Sequence, residues 1–543
     1  MLYNETAMKQ IQQGEYSRIV NGCQQLRFTM CAGKEITVEK EELFRQVSAQ
    51  LEELDYRELY SAYSGQIRKS QVEPRVLFEI LVCAYALGVY SSRKIESLCR
   101  THVQFLLILD GHEAPDHTTL ARFRNGKATG TAIGHLFEQH VNWLEKQKET
   151  DHEAVYVDGT KLESKSNRYT FVWRKTVERE LKKIRETLKE KLRYSLSENE
   201  YLTLKKAKER LSGLEREIKE AGIEVKRGRG HHKPTIVRLR DAVLKLIQRW
   251  EAYEEKRRIL GEGRNSYAKT DPDATFMHMK EDHMRNGQLK PGYNVQFAVN
   301  SEYITGIGVY SNRTDYGTLP SMLKKMEAAH GSRYKRVVAD SGYESLENYR
   351  YLESHGQLAY IKPNNYESSK TRKYKQQIGR AENMAYYAPG DYFLCHEGRM
   401  LVRIGDAQEA GKDGAERMIS HYRCEDCSNC PSRAACCKAR DMQTQKQLSV
   451  CWEKEQMRKA SWERITTEEG KLLRVNRSIQ VEGSFGQLKH NRGFKRFLTA
   501  GFVKVKTELH LLALSQNILK LIAKCNRKCL QTHLLSPKSL LNF

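Results

Sequence analysis

Long apolar runs are missing from this sequence of 543 residues. A helix that crosses a membrane needs about 18 or more consecutive apolar residues, and no such window occurs. The opening residues, MLYNETAMKQIQQGEY, also lack the apolar stretch behind a basic start that marks an export signal. We therefore expect a cytoplasmic protein without a membrane partner.

The sequence has fewer acidic residues than basic ones. The chain has 92 Lys and Arg against 68 Asp and Glu, a formal net charge of +24. Such an excess favours a polyanionic partner, and nucleic acid is the leading candidate. Thirteen Cys in a chain with no export signal indicate reduced thiols or a metal site and not a disulfide framework.

Three acidic residues stand in settings suited to catalytic metal. Asp158 ends the apolar run of AVYVDGT, Asp340 ends that of RVVADSGY, and Glu482 lies in SIQVEGSFGQLKHNRGFKRF. The first two segments read as strands that end in a turn at the acid, and the third reads as a helix. Carboxylates are the natural ligands of Mg²⁺, and two such ions can stabilise both oxygens of a phosphodiester displacement. A lone acid after a strand would only indicate a turn.

The order of elements predicts an α/β fold with a mixed sheet. Strands are expected at Asp158, at 293–300 and at 303–311, followed by a helix, the Asp340 strand, a helix and the strand LAYIKP. The first three strands can form an antiparallel meander, and the later ones lie parallel. This is the order of a ribonuclease H-like core, in which Asp158 and Asp340 end neighbouring strands.

Helical segments surround this core. Residues 40–130 predict a small bundle, in which Arg93, Arg122 and Arg124 are candidate DNA contacts, with an ordinary solvated bundle as the alternative. Residues 174–260 are rich in Glu, Lys, Arg and Leu at near-heptad spacing, which predicts a long helical hairpin or coiled coil. The basic loop KRGRGHHKP at 226–234 could contact phosphates.

Several long blocks occur in one order along the chain: SSRKIE, PDHTTLARFR, VDGTKLESKSNRYTFVWRK, TDPDATFMHMKEDHMRNGQLKPGYNVQFAV, ADSGYESLENYRYLESHGQLAYIKP and VEGSFGQLKHNRGFKRFLTAGFVKVKTELHLLALSQNILKL. Together they resemble the bacterial insertion-sequence DDE transposases, in the branch with a ribonuclease H-like core and a Cys-containing insertion before the final Glu. The resemblance spans roughly residues 40–525.

The resemblance implies Asp158, Asp340 and Glu482 as the catalytic triad, holding two Mg²⁺ or Mn²⁺ ions. Related families place Tyr-x2-Arg-x3-Glu-x6-Lys around the Glu, and Lys489 has the right spacing after Glu482. Arg477 stands one position too far from Glu482, and Arg replaces the Tyr at position 474.

Basic residues near these acids are the predicted DNA contacts. On a regular helix Lys489 shares the face of Glu482, seven positions earlier. Core-edge hydrogen bonding is the alternative reading for Lys290, Asn294 and Gln296. The full set of predicted contacts is Lys489, Arg492, Lys495, Arg496, Arg477, Lys290, Arg93, Arg122 and Arg124.

The segment CEDCSNCPSRAACC has the spacing of a tetrahedral Zn²⁺ site. The preferred ligands are Cys395, Cys427, Cys430 and Cys436, with Cys424 or Cys437 as alternatives. The alternative to a zinc site is a set of reduced thiols in a small folded insertion. Any zinc here would be structural, because the catalytic ions prefer oxygen ligands.

These features predict five regions: an N-terminal helical domain at 1–135, a core at 150–173 and 265–365, a charged helical insertion at 174–264, a Cys-rich insertion at 366–470 and a catalytic helix region at 471–530. The resemblance implies a nucleoid-associated homodimer that cuts element ends from double-stranded DNA and joins them to target DNA. The rival readings are a DNA-end-binding regulator or domesticated transposase, a ribonuclease H-like nuclease, and a coiled-coil scaffold.

Overall fold

The computed structural model describes residues 25–29, 35–64, 72–192, 202–223, 233–279, 287–411, 416–439, 441 and 444–531. Most of the basic loop at 226–234 lies outside the described residues. No described helix combines the length and the apolar character that a membrane crossing requires.

The described strands and helices are numbered here along the chain. The strands are β1 (Gln25–Thr29), β2 (Glu35–Glu39), β3 (Ala154–Glu163), β4 (Phe171–Trp173), β5 (Ser266–Ala268), β6 (Thr275–His278), β7 (Leu289–Asn300), β8 (Tyr303–Tyr310), β9 (Arg336–Ala339), β10 (Leu358–Ile361), β11 (Ala385–Tyr387), β12 (Tyr392–Leu394), β13 (Met400–Ala410), β14 (Glu416–Cys424) and β15 (Gln447–Val450). The helices are α1 (Glu42–Glu52), α2 (Arg57–Ser64), α3 (Pro74–Ala86), α4 (Ser92–Thr101), α5 (Val103–Leu109), α6 (His117–Asn125), α7 (Lys127–Lys146), α8 (Arg174–Leu192), α9 (Leu204–Glu220), α10 (Thr235–Leu260), α11 (Leu319–His330), α12 (Leu346–Ser354), α13 (Arg372–Lys375), α14 (Arg433–Cys436), α15 (Trp452–Thr466), α16 (Glu468–Arg477), α17 (Gly483–Gly486) and α18 (Phe502–Asn526).

The described residues form two compact units. The catalytic unit contains those up to Thr160, Asn294–Tyr310 and those from Thr314 onward, whereas the insertion unit contains those of Lys161–Tyr293 and Ser311–Arg313. In the insertion unit α8, α9 and α10 bury a common apolar cluster that includes Leu181, Leu214 and Trp250. The charged segment is therefore a set of three packed helices.

The sheet of the catalytic unit has the strand order β10-β9-β3-β7-β8. Strands β3, β9 and β10 are parallel, whereas β7 and β8 form an antiparallel pair. Helices α11 and α12 cover it through an apolar cluster that includes Val155, Met322 and Leu352. The predicted ribonuclease H-like order is confirmed.

The N-terminal bundle is confirmed as helical from α1 to α7, and it is completed by a helix from the far end of the chain. On α18, Ser515 donates a hydrogen bond to the Val82 carbonyl of α3 (3.2 Å), and the Asn517 amide pairs with both backbone groups of Ile304 on β8 (2.8 Å each). Gln516 donates to the Ser484 carbonyl beside the Glu482 segment (3.3 Å). Helix α18 thus contacts the bundle, the sheet and the Glu482 segment.

The Cys-rich insertion is a five-stranded antiparallel sheet in the order β11-β12-β13-β14-β15. Phe393, Leu401 and Tyr422 form its small core, and Trp452 packs against them. The Trp452 indole donates a hydrogen bond to the Tyr422 hydroxyl (2.9 Å). This insertion thus has an apolar core of its own.

Candidate functional site

Two of the three predicted catalytic acids lie side by side. Strands β3 and β9 pair in parallel with Val157 opposite Ala339, so Asp158 and Asp340 are the next residues on adjacent strands. The Asp340 carboxylate accepts a hydrogen bond from the Gly342 amide (2.8 Å), which caps the turn that follows β9. The register of two apolar strands therefore brings together acids that are 182 positions apart in the sequence.

Strand β3 differs from the prediction at Asp158. The sequence Asp158-Gly159 was expected to end the strand, but β3 continues through it to Glu163. Gly159 is required for close packing and not for a turn: a methyl group placed on it would lie 2.3 Å from the Gln296 amide nitrogen and 2.7 Å from Asp315 Oδ1. The glycine thus lets a second layer of polar side chains approach the strand beside Asp158.

Glu482 belongs to a helix with an altered pitch. Ser478–Glu482 and Gln487–Asn491 are π-helical, with α17 between them. Single π turns of this kind are frequent at functional sites. The Glu482 side chain is 57% exposed, so it is available at the surface of the catalytic unit.

Arg477 joins two of the acids directly. Its guanidinium donates to Asp158 Oδ2 (3.1 Å) and to Glu482 Oε1 (3.2 Å). The Arg477 side chain is 15% exposed and that of Asp158 is 8% exposed, which reduces solvent screening of this pair. The structure therefore places one positive charge between the strand acid and the helix acid.

A fourth acid, Asp315, lies at the same edge and was missed by the sequence reasoning. Its Oδ1 accepts hydrogen bonds from the side-chain amides of Asn294 and Gln296 (2.7 Å each). Gln296 is fully buried and also accepts a hydrogen bond from the Tyr343 hydroxyl. Asp315 follows β8 in a loop without an apolar run before it, so the local sequence carried no signal.

The pKa of Tyr343 reflects the negative charge of the carboxylates around it. Burial, followed by the charges of Asp315, Asp158 and Asp340, raises the pKa of the Tyr343 hydroxyl well above its ordinary value. The hydroxyl therefore stays protonated and acts as a hydrogen-bond donor to Gln296. The three Asp carboxylates and Tyr343 form one electrostatic neighbourhood.

The predicted DNA contacts fall into different surroundings. The prediction that Arg124 contacts DNA is corrected: Arg124 is 4% exposed and donates to the Tyr85 hydroxyl and the Tyr90 carbonyl (3.0 Å each), so it holds the bundle together.

The prediction that Lys489 shares a helix face with Glu482 is also corrected, because Lys489 is 7% exposed whereas the Glu482 side chain is 57% exposed. A π turn takes up more residues than an α turn, so a spacing of seven does not return to the same face.

Other predicted contacts are more accessible. Arg93, Arg122, Lys495 and Arg496 are exposed, whereas Lys290 and Arg492 are half-buried. Burial lowers the pKa of the Arg492 guanidinium. The exposed side chains remain candidate phosphate contacts.

Four thiols cluster in the Cys-rich insertion. Cys424 and Cys427 belong to its buried core, and Cys395 and Cys436 pack against them. Burial, then a hydrogen bond to Cys427, raises the pKa of the Cys424 thiol to about 12. Cys430, a member of the preferred ligand set, is half-buried and lies outside this cluster.

The thiols of the Cys-rich insertion and the carboxylates at the sheet edge are the candidate metal ligands. Throughout the described residues, no three His, Cys, Asp or Glu side chains lie in a group that could hold a metal ion. At the sheet edge the chemistry of the donors still suits a hard divalent cation, because they are carboxylates and two already share the Arg477 charge. An ion would have to draw the carboxylates together and displace that guanidinium.

The fold and the edge acids define the class, a ribonuclease H-like α/β protein with a carboxylate site. Two family models match the chain, one described as Transposase DDE domain over residues 394–522 and one as Transposase domain (DUF772) over residues 34–126. The first match includes Glu482, and neither match reaches Asp158 or Asp340. Comparisons with curated proteins and with solved structures found no match.

Together the two matches indicate an insertion-sequence DDE transposase. Its general function is therefore transposition, and proteins of this family act on DNA and generally use divalent metal ions.

Proposed function

We propose that this transposase binds the ends of its own insertion sequence, cleaves phosphodiester bonds there and joins the freed 3′-hydroxyls to target DNA. The observation that carries the proposal is the pairing of Val157 with Ala339, which sets Asp158 beside Asp340, together with the Arg477 link to Glu482. This supports the proposal because metal-dependent phosphodiester chemistry needs several carboxylates that can converge on the ions.

Asp158, Asp340 and Glu482 are the proposed ligands for two Mg²⁺ or Mn²⁺ ions. When bound, such ions activate water for attack and stabilise the leaving 3′ oxygen. Asp158 and Asp340 are positioned by the sheet, and the Gly342 amide holds Asp340, whereas the exposed Glu482 is paired with Arg477 and would have to leave that ion pair to close on the site. Arg477, once released from the carboxylates, is positioned to contact a DNA phosphate.

Exposed basic residues supply the DNA surface in this proposal. Lys495 and Arg496 follow the Glu482 helix, and Arg93 and Arg122 lie on helices α4 and α6. The proposed assembly on DNA is a homodimer, in the bacterial nucleoid. The Cys-rich insertion is proposed to hold a structural Zn²⁺ through Cys395, Cys424, Cys427 and Cys436, after these thiols draw closer than they now lie.

The test is cleavage of DNA that carries the sequence flanking the protein's own gene, with Mg²⁺ or with a chelator. We expect metal-dependent breaks at repeated ends with the wild type and none with Asp340→Asn, because the amide cannot replace a carboxylate ligand. DNA binding should persist in that variant. Asp110→Asn is the matched control, since Asp110 has the left-handed backbone that Asn tolerates well.

Retained cleavage by Asp340→Asn would contradict the catalytic assignment. Tight end binding by the wild type without any breaks would instead favour the DNA-end-binding regulator. Cuts confined to RNA–DNA hybrids would favour the ribonuclease H-like nuclease.

A further inference from the structure

Asp315 is held in place by two buried side-chain amides. Asn294 is 2% exposed and Gln296 is fully buried, yet both point an amide nitrogen at Asp315 Oδ1 (2.7 Å each). The Gln296 amide nitrogen also reaches the Asn294 side-chain oxygen (2.8 Å), and Tyr343 donates to the other end of Gln296. Buried amides that make this many bonds fix a side chain in one orientation.

The fixed carboxylate faces the predicted catalytic acids. A methyl group placed on Gly342 would lie 3.2 Å from Asp315 Oδ2 and 3.0 Å from Asp340 Oδ1, so both oxygens border the same small space. On the other side, a methyl group on Gly159, the residue after Asp158, would lie 2.7 Å from Asp315 Oδ1. Asp315 Oδ2 and Asp340 Oδ1 therefore border the same space beside Gly342, and Asp315 Oδ1 packs against Gly159.

Within the described residues, ion pairs reach some of the acids at this edge and not others. Asp158 forms an ion pair with Arg477, but no described Lys, Arg or His lies within ion-pair distance of Asp315 or Asp340. The neutral amides of Asn294 and Gln296 satisfy hydrogen bonds without supplying charge. Nearby like charges repel unless a cation lies between them.

We propose that Asp315 is a fourth acidic ligand of the divalent-metal site, with its Oδ1 held by Asn294 and Gln296 and its Oδ2 left on the side of Asp340. The inference rests on the proposed function, because it adds a residue to the same site. Asp315 contributes the oxygen on the β8 side of the sheet edge, and the Gly159 and Gly342 positions leave the space it needs.

The test is Mn²⁺ binding to the full-length protein without DNA, followed by electron paramagnetic resonance. We expect Asp315→Asn to weaken Mn²⁺ binding by tenfold or more, as Asp340→Asn does, while Asp110→Asn binds like the wild type. The Asn side chain still accepts the two amide hydrogen bonds, so the local fold is kept. Asp315→Glu restores a carboxylate and should recover part of the affinity, which a purely structural role would not predict.

Wild-type affinity in Asp315→Asn would overturn the inference, and so would a wild-type protein that binds no Mn²⁺. If the variants fail to fold, Fe²⁺ can be bound to the wild type in place of Mn²⁺ and treated with peroxide and ascorbate. Radicals formed at the bound iron are then expected to cleave the backbone near residue 315 as well as near 158 and 340. Backbone cuts that spare residue 315 would count against it.

The two proposals can fail separately. Cleavage of DNA that needs Asp340, combined with Mn²⁺ binding that ignores Asp315, would leave the proposed function standing without this inference. Mn²⁺ binding that needs Asp315 in a protein that never cuts DNA would support the metal ligand and reject the transposition chemistry.

Discussion

At the scale of single residues, Arg477 and Gly159 determine how closely the acids approach. The Arg477 guanidinium lies between Asp158 and Glu482, so these carboxylates do not face each other unshielded. Gly159 has no side chain where Gln296 and Asp315 must pass. Arg477 thus supplies a positive charge, and Gly159 leaves space for the neighbouring side chains.

Gly159→Ala is expected to destabilise the protein. The added methyl would overlap the Gln296 nitrogen and Asp315 Oδ1, and overpacking of this kind costs about 1–3 kcal/mol. Thermal unfolding should show a lower midpoint by a few degrees. Gly486→Ala is the matched control, because a methyl there meets nothing within 4 Å and Ala favours the helix. An unchanged midpoint in Gly159→Ala would show that the amide layer moves aside easily.

At the scale of elements, helices α7 and α18 enclose two neutral histidines. His140 is fully buried and shares a hydrogen bond with Gln50 (3.2 Å), whereas His510 stacks on Phe137 with ring centroids 5.5 Å apart. Burial lowers the pKa of His140 to about 3. Burial, then the charges of Lys506 and His135, lowers the pKa of His510 to about 4.

These two histidines predict a loss of stability in mild acid. Their folded pKa values lie below the unfolded value of about 6.5, so protons bind the unfolded chain first as the pH falls. Stability should be full above pH 6.5 and decline toward pH 4, by about 2 kcal/mol per histidine at pH 5.

Thermal unfolding between pH 7.5 and pH 5 measures this decline. The double variant His140→Gln/His510→Gln should start lower and depend less on pH. His112→Gln is the control, because His112 is exposed at the surface and the acid effect should persist in that variant. Equal pH dependence in the double variant and the wild type would contradict the assignment.

Regular elements were predictable because their patterns are local. Strand β9 and helix α11 follow apolar runs and helical spacing, and the Asp158–Asp340 pairing follows from the parallel order of their strands. The π turns around Glu482 were not predictable, because the spacing of residues in the sequence was interpreted as that of a regular α-helix. That interpretation placed Lys489 on the same helix face as Glu482. Asp315 reaches the site only through Asn294 and Gln296, contacts that exist only after the sheet has formed.

At the scale of the whole molecule, the net charge of +24 governs the encounter with DNA. Each Lys or Arg that neutralises a phosphate adds about 0.9 to the slope of log K against log salt. Lys495→Ala/Arg496→Ala should therefore weaken binding to any DNA sequence and reduce that slope by about one to two, which fluorescence anisotropy at several salt concentrations would measure.

Lys205→Ala/Arg216→Ala is the control for this measurement, because both residues are exposed on α9 in the insertion unit. The slope should be unchanged in that variant. A reduced slope there, with no change in Lys495→Ala/Arg496→Ala, would move the main DNA contact to the insertion unit.

Helix α18 has a consequence for synthesis on the ribosome. It is made late, yet Ser515 binds α3, Asn517 binds β8 and Gln516 binds the Glu482 segment. A nascent chain can pair β3 with β9 and still lack both Glu482 and the helix that secures it. The proposed site can therefore take the arrangement described above only after helix α18 has been synthesised and has packed against these elements.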